Sequence, residues 1–175
     1  MHFENYDFTL TEIINIVNIK TDGTWSFENL TTPNHWILSL VVEGHCLYTW
    51  KEKEYLLKKG DLIFFQKGFS RSAKSSPENP WQFIVIKFKL DCNNSFTERA
   101  LNELPNIIRN GLSHSQQGFY RMEKLWRGRH PGYVLRCKSI LYDVLHSIML
   151  QTGMFFNMNT PHQDKLINVL NIIGE

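Results

Sequence analysis

Arg71 is the residue of this sequence whose chemistry most needs an explanation. It ends the segment GDLIFFQKGFSR, in which Gly60 and Gly68 punctuate a short apolar run and so predict a strand followed by a tight turn. A guanidinium offers a planar fork of donors that suits a carboxylate, a phosphate or two neighbouring hydroxyl groups, and it repels a divalent cation. If Arg71 faces the interior, it needs such a ligand or an acidic side chain as its partner.

The other reactive side chains form no pattern that indicates catalysis or metal binding. A first-row metal ion needs at least three converging ligands, and a lone histidine such as His35 more often lines a pocket or a core. Cys46, Cys92 and Cys137 lie far apart and form no CxxC pair, and the sequence contains no GxSxG elbow. We therefore predict no catalytic residues, no metal, no cofactor and no enzymatic activity.

The elements that must position these residues are β-strands in the first half of the chain. Apolar runs rich in β-branched and aromatic residues are broken at Gly44 and at several charged or glycine-containing turns, at spacings of about 8 to 12 residues. Such spacing is typical of an antiparallel sandwich or barrel. With EIINIVNI and TWSFENL upstream and NPWQFIVIKF downstream, we count about eight strands, enough to close a small barrel around one ligand.

The apolar period then changes to that of helices. FTERALNELPNII predicts a first helix with Ser95 and Thr97 as candidate N-caps, and Pro105 limits how far that helix can run. SQQGFYRMEKLWRGR predicts a second helix, and the longest helix is expected over about residues 133–154. The predicted fold class is therefore mainly β with C-terminal α: a barrel followed by an antiparallel helical pair.

A broad apolar stripe on the longest predicted helix allows two interpretations. The stripe is either buried within its own chain or shared with a second subunit, because Leu135 and Met149 extend the apolar surface beyond a single face. We predict a homodimer formed through the C-terminal helices, with Leu141, Leu145 and Ile148 as its dimerisation residues.

Composition excludes several classes of protein. The 175 residues are 42% hydrophobic and 13% aromatic, which excludes a disordered chain, and the net charge of +2 does not by itself indicate a nucleic-acid or membrane surface. The first ten residues, MHFENYDFTL, do not resemble a signal peptide, and no apolar stretch is long enough to span a bilayer. With three separated cysteines, the simplest expectation is a soluble cytoplasmic protein that does not associate with membranes.

The segment that contains Arg71 resembles the second sequence motif of the cupin superfamily. Gly60 and Gly68 match that motif, but Gln66 stands at its proline and Arg71 at its metal-binding histidine. At the first cupin motif, counted back from Gly44, the glutamate position is occupied by Ile37, and no histidine stands at the histidine positions. The resemblance therefore implies a barrel that keeps the cupin scaffold and binds an organic ligand in place of a metal.

Four segments in order resemble the N-terminal sensing domain of AraC-type transcriptional regulators. They are Trp36–Gly44, GDLIFFQKG, Asn79–Phe88 and the helical stretch Phe119–Ile148. The resemblance covers about residues 10–155. It implies a cupin-like barrel that binds a small effector, followed by two helices that mediate dimerisation, in a protein that regulates transcription.

The same resemblance implies a domain organisation. Residues 1–92 are expected to form the ligand-binding barrel, with residues 1–12 as an N-terminal arm that closes its mouth, and residues 93–156 the helical dimerisation segment. Residues 157–175 are expected to be a linker and the first helix of a DNA-binding domain whose helix-turn-helix units this sequence does not contain. DNA binding is then expected only through that missing domain.

The cupin register also predicts which side chains face the ligand. Because the glutamate position of metal cupins points into the barrel, Ile37 should point inward, and alternation along the strand places His35 and Ser39 on the same face. Arg71 is expected to point inward by the same register, with Phe83 and Val85 on the last long strand. The predicted ligand-binding residues are therefore His35, Ile37, Ser39, Arg71, Phe83 and Val85.

The identity of the ligand stays open at the level of sequence. Rings cover the apolar faces of sugars well, so a sugar is one candidate; the rings that could serve are Trp25, Trp36, Tyr48, Trp50 and Trp81. Two other functions remain as alternatives. One is a stand-alone cupin protein that binds carbohydrate, and the other is a metal-dependent sugar isomerase or dioxygenase.

Overall fold

The computed structural model describes residues 5–32 and 34–153. Its nine strands are β1 (Phe8–Lys20), β2 (Ser26–Thr31), β3 (Trp36–Glu43), β4 (His45–Trp50), β5 (Lys53–Lys58), β6 (Leu62–Phe65), β7 (Ser70–Ser75), β8 (Gln82–Cys92) and β9 (Ile107–Ile108). Its three helices are α1 (Ser95–Glu103), α2 (Ser113–Gly128) and α3 (Tyr133–Gln151). The predicted class, mainly β with C-terminal α, is confirmed.

The strands form two antiparallel sheets in the order of a jelly roll. The larger sheet has the order β1-β8-β3-β6-β9 and the smaller sheet the order β2-β7-β4-β5. Neighbours in each sheet are mostly distant in sequence, as the Greek-key connections of a cupin-like barrel require. The predicted barrel is therefore present, with the short strand β9 added at one edge.

Strand β3 shows how one sequence serves both faces of the larger sheet. Trp36, Leu38 and Leu40 belong to an apolar cluster shared with the helices. Ile37 and Val41, which alternate with them, belong to a second cluster between the two sheets. The alternation follows from the pleat, which turns successive side chains to opposite faces.

The helices cover the outer face of the larger sheet and pack on one another. Helices α2 and α3 approach closely at Gly118, where an added Cβ would clash with Cγ2 of Val144. The Sγ of Cys137 donates to the carbonyl of Met122 at 3.7 Å, so later residues of α2 meet earlier residues of α3. The pair is therefore antiparallel, as predicted.

The predicted dimer face lies inside the chain. Leu141, Leu145 and Ile148 are each 0% exposed and belong to the cluster between the helices and the larger sheet. Residues without exposed surface cannot contact a second subunit in this fold, so the predicted dimer face is corrected. The stripe is buried by the chain's own sheet, which was the other interpretation of the sequence.

One local prediction is also corrected. Asn94, and neither Ser95 nor Thr97, caps α1: its side chain accepts a hydrogen bond from the backbone N–H of Thr97 at 2.7 Å. The apolar pair Ile107–Ile108 lies beyond Pro105, which was expected to limit that helix, and pairs with β6 as strand β9. Helix α1 ends at Glu103, before Pro105, so the chain is free to return to the sheet edge.

Strand β8 ends at Cys92, where the predicted barrel domain ends. From Phe8 onward the predicted N-terminal arm is strand β1, which pairs with β8 along its length, and residues 1–4 lie outside the described residues. The predicted linker and final helix, residues 157–175, also lie outside them. Within the described ranges, no helix combines the length and the apolarity needed to span a membrane.

Candidate functional site

A cavity of about 290 Å³ lies between the two sheets. All six predicted ligand-binding residues line it: His35, Ile37, Ser39, Arg71, Phe83 and Val85. Asn15, Trp25, Phe27, Thr32, Tyr48 and Lys87 are among the further lining residues. The structure thus brings the six residues together at one cavity, and their contact with a ligand stays a prediction.

Strand pairing explains how these residues come together. Ser39 of β3 pairs with Val85 of β8 in the larger sheet, and Val85 also pairs with Val17 of β1. The alternating positions of these three adjacent strands therefore form one wall of the cavity. Arg71 stands on β7 in the opposite sheet, where it pairs with Leu30 of β2.

Arg71 is buried, at 5% exposure, and only part of its guanidinium has partners. Nη1 donates to the carbonyls of Leu30 and Phe69 at 3.4 and 3.3 Å. Its Cζ lies 4.8 Å from the ring centroid of Phe65 and 5.9 Å from that of Phe27, within the range of cation–π contacts. Nε is buried without a partner.

An internal salt bridge does not explain the burial of Arg71. Among the described residues, no carboxylate lies within 4.0 Å of its guanidinium. Burial lowers the pKa of Arg71, and Tyr48 offsets part of this fall. Of the two sequence-based explanations, an acidic side chain or a ligand, the first is not observed in this part of the chain.

His35 also keeps one nitrogen without a partner. Its Nδ1 lies 3.4 Å from Oδ1 of Asn34, and its Nε2 is buried and makes no hydrogen bond. Burial lowers the pKa of His35, and the positive charges of Lys87, Arg71 and Lys89 lower it further. At neutral pH its ring is therefore neutral and can donate or accept one hydrogen bond at Nε2.

Four residues that line this cavity each have a buried polar atom without a partner. The atoms are Oδ1 of Asn15, Oγ1 of Thr32, Nε2 of His35 and Nε of Arg71. Buried polar atoms are nearly always hydrogen-bonded, and leaving one unpaired costs about 1–3 kcal/mol. The cavity is therefore lined by several residues whose hydrogen-bonding capacity is not used within the described part of the protein.

Aromatic rings line part of the cavity, but fewer than the sequence suggested. Trp25 and Tyr48 line it, and Phe27 lies edge-on to Trp25 with the ring centroids 5.3 Å apart. Trp36 faces the helices, where it stacks on Phe64. Trp50 and Trp81 belong to the cluster between the sheets without lining the cavity, so three of the five rings considered for a sugar do not support it.

Sequence reasoning missed Asn15, Thr32 and Lys87. Lys87 follows Phe83 and Val85 on the same face of β8, so extending the alternation by two residues would have found it. Asn15 lies next to a register irregularity in β1, between Ile13 and Asn15, which makes its direction hard to infer from the pattern.

A second hollow, of about 540 Å³, lies on the other side of Arg71. It is formed by the turns between β4 and β5 and between β6 and β7, and its lining includes the exposed residues Lys51 and Glu52. It contains none of the other three unpartnered polar atoms, so the cavity between the sheets is the better candidate site. In the described ranges, no group of three His, Cys, Asp or Glu side chains could hold a metal ion.

Solved structures with a similar fold include cupins of low sequence identity. A predicted oxalate decarboxylase from Thermotoga maritima is 15% identical over 44% of this chain and 67% of its own, with a TM-score of 0.40. A cupin protein from Bacteroides fragilis is 16% identical over 42% and 62%, with a TM-score of 0.37. The protein YhaK from Escherichia coli is 18% identical over 60% and 47%, with a TM-score of 0.43.

Comparison with curated proteins finds no significant match. The AraC-like ligand binding domain family, in contrast, matches residues 19–145, from the end of β1 into α3. This range is more than half of the chain and includes Arg71, His35 and Lys87. The chain therefore belongs to the family of AraC-like ligand binding domains.

Proposed function

We propose that this domain senses a small organic effector for a transcriptional regulator and binds it in the cavity between the two sheets. Family membership makes it a ligand-binding regulatory domain. The observation that carries the proposal is the set of unpartnered polar atoms, from Asn15, Thr32, His35 and Arg71, around one cavity. A volume of about 290 Å³ is near the lower end for ligand pockets and suits a molecule the size of a monosaccharide or a small ring compound.

Strand β1 offers a route from the cavity to the helices. Asn15 lines the cavity, and further back along the same strand the backbone N–H of Leu10 donates to Oη of Tyr142 at 2.7 Å. Nζ of Lys138 donates to the carbonyl of Thr11 at 2.8 Å. A ligand that moves β1 at Asn15 would therefore also shift the part of β1 that is hydrogen-bonded to Tyr142 and Lys138 of α3.

The pairing of β1 with β8 is irregular between these two positions. Register shifts occur between Leu10 and Glu12 and between Ile13 and Asn15. A bulge leaves a residue unpaired and disrupts the ladder locally, and we propose that β1 can adopt two arrangements at this point. Under this proposal the effector favours one arrangement and so shifts the population of helix positions.

We further propose that residues 93–156 mediate a homodimer through the outer side of α3 and that residues 157–175 lead into a DNA-binding domain. Leu135 is 76% exposed and Leu150 is 42% exposed, and Tyr142 lies between them on the same side of the helix. Apolar side chains at this spacing suit a symmetric contact between two copies.

A ligand screen with hydrogen exchange tests the proposal. Purified protein is screened by thermal melting against small sugars, organic acids and aromatic metabolites, and each hit is examined by amide hydrogen exchange. At least one compound should raise the melting temperature and protect both β1 around Asn15 and α3 around Tyr142. Val85→Trp, which fills the cavity, should abolish both effects.

Persistence of the thermal shift in Val85→Trp would locate the binding site elsewhere, and the absence of any hit would contradict effector binding.

Sedimentation of the same samples tests the homodimer. Leu135→Glu should weaken it, whereas the matched variant Leu56→Glu, which alters an exposed leucine of β5, should not. Equal dimerisation of the two variants would contradict a contact through α3.

A further inference from the structure

The charges around the cavity are of one sign. Arg71 and Lys87 line it, and none of its lining residues is an aspartate or a glutamate. Lys87 is partly buried on β8, and in the described part of the chain its side chain has no hydrogen bond or ion pair. Lys89, two residues further along the same strand, is paired with Glu12 at 2.8 Å.

Some of the polar groups without partners also favour a negatively charged ligand. Arg71 can only donate, and Thr32, at 4% exposure, has a hydroxyl that can donate as well. His35 experiences the positive charges of both Lys87 and Arg71, since both lower its pKa. Oδ1 of Asn15 is the exception, because an amide oxygen can only accept. Positive charge still borders the cavity from both sheets, from Arg71 on β7 and Lys87 on β8.

Two cations beside one cavity without a counter-charge are unfavourable unless an anion binds there. A neutral sugar would supply hydroxyl groups to Arg71 and leave both charges uncompensated. The cavity walls also include Ile37, Phe83 and Val85, which need an apolar partner surface. The ligand that meets both demands has one negative group and an apolar or ring-shaped body.

We propose that the effector is a small organic carboxylate whose negative group binds Arg71 in the field of Lys87, with its body against the aromatic and aliphatic wall. This inference rests on the proposed function, because it specifies the ligand class of the same cavity. A carboxylate is planar and matches the guanidinium fork in two parallel hydrogen bonds, one of them to the unpartnered Nε. Among sugars, only a sugar acid has the carboxylate that this inference requires.

The test uses two pairs of probes that differ in charge and share a body. They are benzoate with benzamide and D-galacturonate with D-galactose, titrated at constant ionic strength by tryptophan fluorescence and by calorimetry. At least one carboxylate should bind about 10-fold or more tightly than its neutral partner, as expected for charge-assisted hydrogen bonds. Added salt should weaken the binding of that carboxylate and leave its neutral partner little changed.

Two variants and one matched control locate the anion. Arg71→Met should abolish the preference for the carboxylate, and Lys87→Met should reduce it several-fold. Lys89→Met removes a charge from the same strand outside the cavity lining and should retain the wild-type preference. Circular dichroism and thermal melting verify that each variant is folded.

The outcomes separate this inference from the proposed function. If a neutral probe binds as tightly as its charged partner, the carboxylate inference is overturned and effector binding stands. If a carboxylate binds but Arg71→Met and Lys89→Met lose equal affinity, the assignment to Arg71 is overturned. If none of the four probes binds at millimolar concentration, the inference is overturned for acids of this size, and the wider screen decides the proposed function independently.

Discussion

The two faces of the larger sheet differ in how completely they are packed. On the helix side, Leu38, Ile84, Ile86 and Leu141 are each 0% exposed and belong to one continuous apolar cluster. On the inner side, the sheet borders a cavity of about 290 Å³ around which four polar atoms lack partners. The strands are the same, so the difference lies in what each face meets.

This difference indicates that the two faces have separate tasks. Complete burial on the helix side stabilises the fold, since each buried apolar side chain contributes about 1.5–3 kcal/mol. The inner side gives up part of that stabilisation to keep space and unpaired polar groups available, which is usual at binding sites. Truncation of a residue on the helix side should therefore cost more stability than the same truncation of its neighbour on the inner side.

The largest expected effect compares Leu38→Ala with Ile37→Ala. Both changes remove three carbon atoms from adjacent residues of β3. Leu38→Ala should lower the free energy of unfolding by about 4 kcal/mol, because it opens a new void in a filled cluster, and Ile37→Ala by about 2 kcal/mol, because it enlarges an existing cavity. Denaturant unfolding measures both values. Equal losses would mean that the inner face is as well packed as the outer one.

The next effect compares two arginines. Arg71→Met should raise the free energy of unfolding of the ligand-free protein by about 1 kcal/mol, because it removes a buried charge without a carboxylate partner. Arg109→Met should lower it by about 2 kcal/mol, because it leaves Asp61, at 3% exposure, without its ion pair. Thermal and denaturant unfolding provide the measurement. A loss of stability in Arg71→Met would instead show that Arg71 stabilises the ligand-free fold.

The smallest effect is the pH dependence that His35 contributes. The pKa of His35 is lowered in the folded protein, so on acidification the unfolded chain binds a proton first, near the ordinary value of 6.5. The free energy of unfolding should therefore fall as the pH is lowered through 6.5, and His35→Gln should remove this contribution without effect at higher pH. Lys87→Met should reduce it, because Lys87 is one cause of the shift.

Unfolding measured between pH 7 and pH 5 checks this expectation. An identical pH profile for the wild type and His35→Gln would show that the cavity does not disfavour the protonated ring. That result would also argue against an excess of positive charge around the cavity.

The inner face was largely predictable because it depends on a period of two. Once the register placed Ile37 inward, alternation placed His35 and Ser39 beside it, and all three line the cavity. Lys87 was missed although the same rule applies to it. Thr32 and Asn15 lie at the end of one strand and beside an irregularity in another, where alternation alone does not fix direction.

The helix side was less predictable for a different reason. The stripe containing Leu141, Leu145 and Ile148 requires a cover, but the pattern is the same whether the cover is a sheet of the same chain or a second subunit. The pair Ile107–Ile108 poses a similar problem, because a short apolar run fits a helix end or an edge strand equally well.

The sequence by itself determined the alternating strands, the positions of the turns and the presence of Arg71 where a metal-binding histidine would stand in related barrels. These are local properties, set by side-chain chemistry and by the geometry of a strand. Only the tertiary structure decided that Arg71 meets no carboxylate in the described residues, that Lys87 lines the same cavity and that α3 is covered by the chain's own sheet. These facts depend on which distant segments become neighbours, and pairing between segments far apart in sequence is fixed only when the whole core packs together.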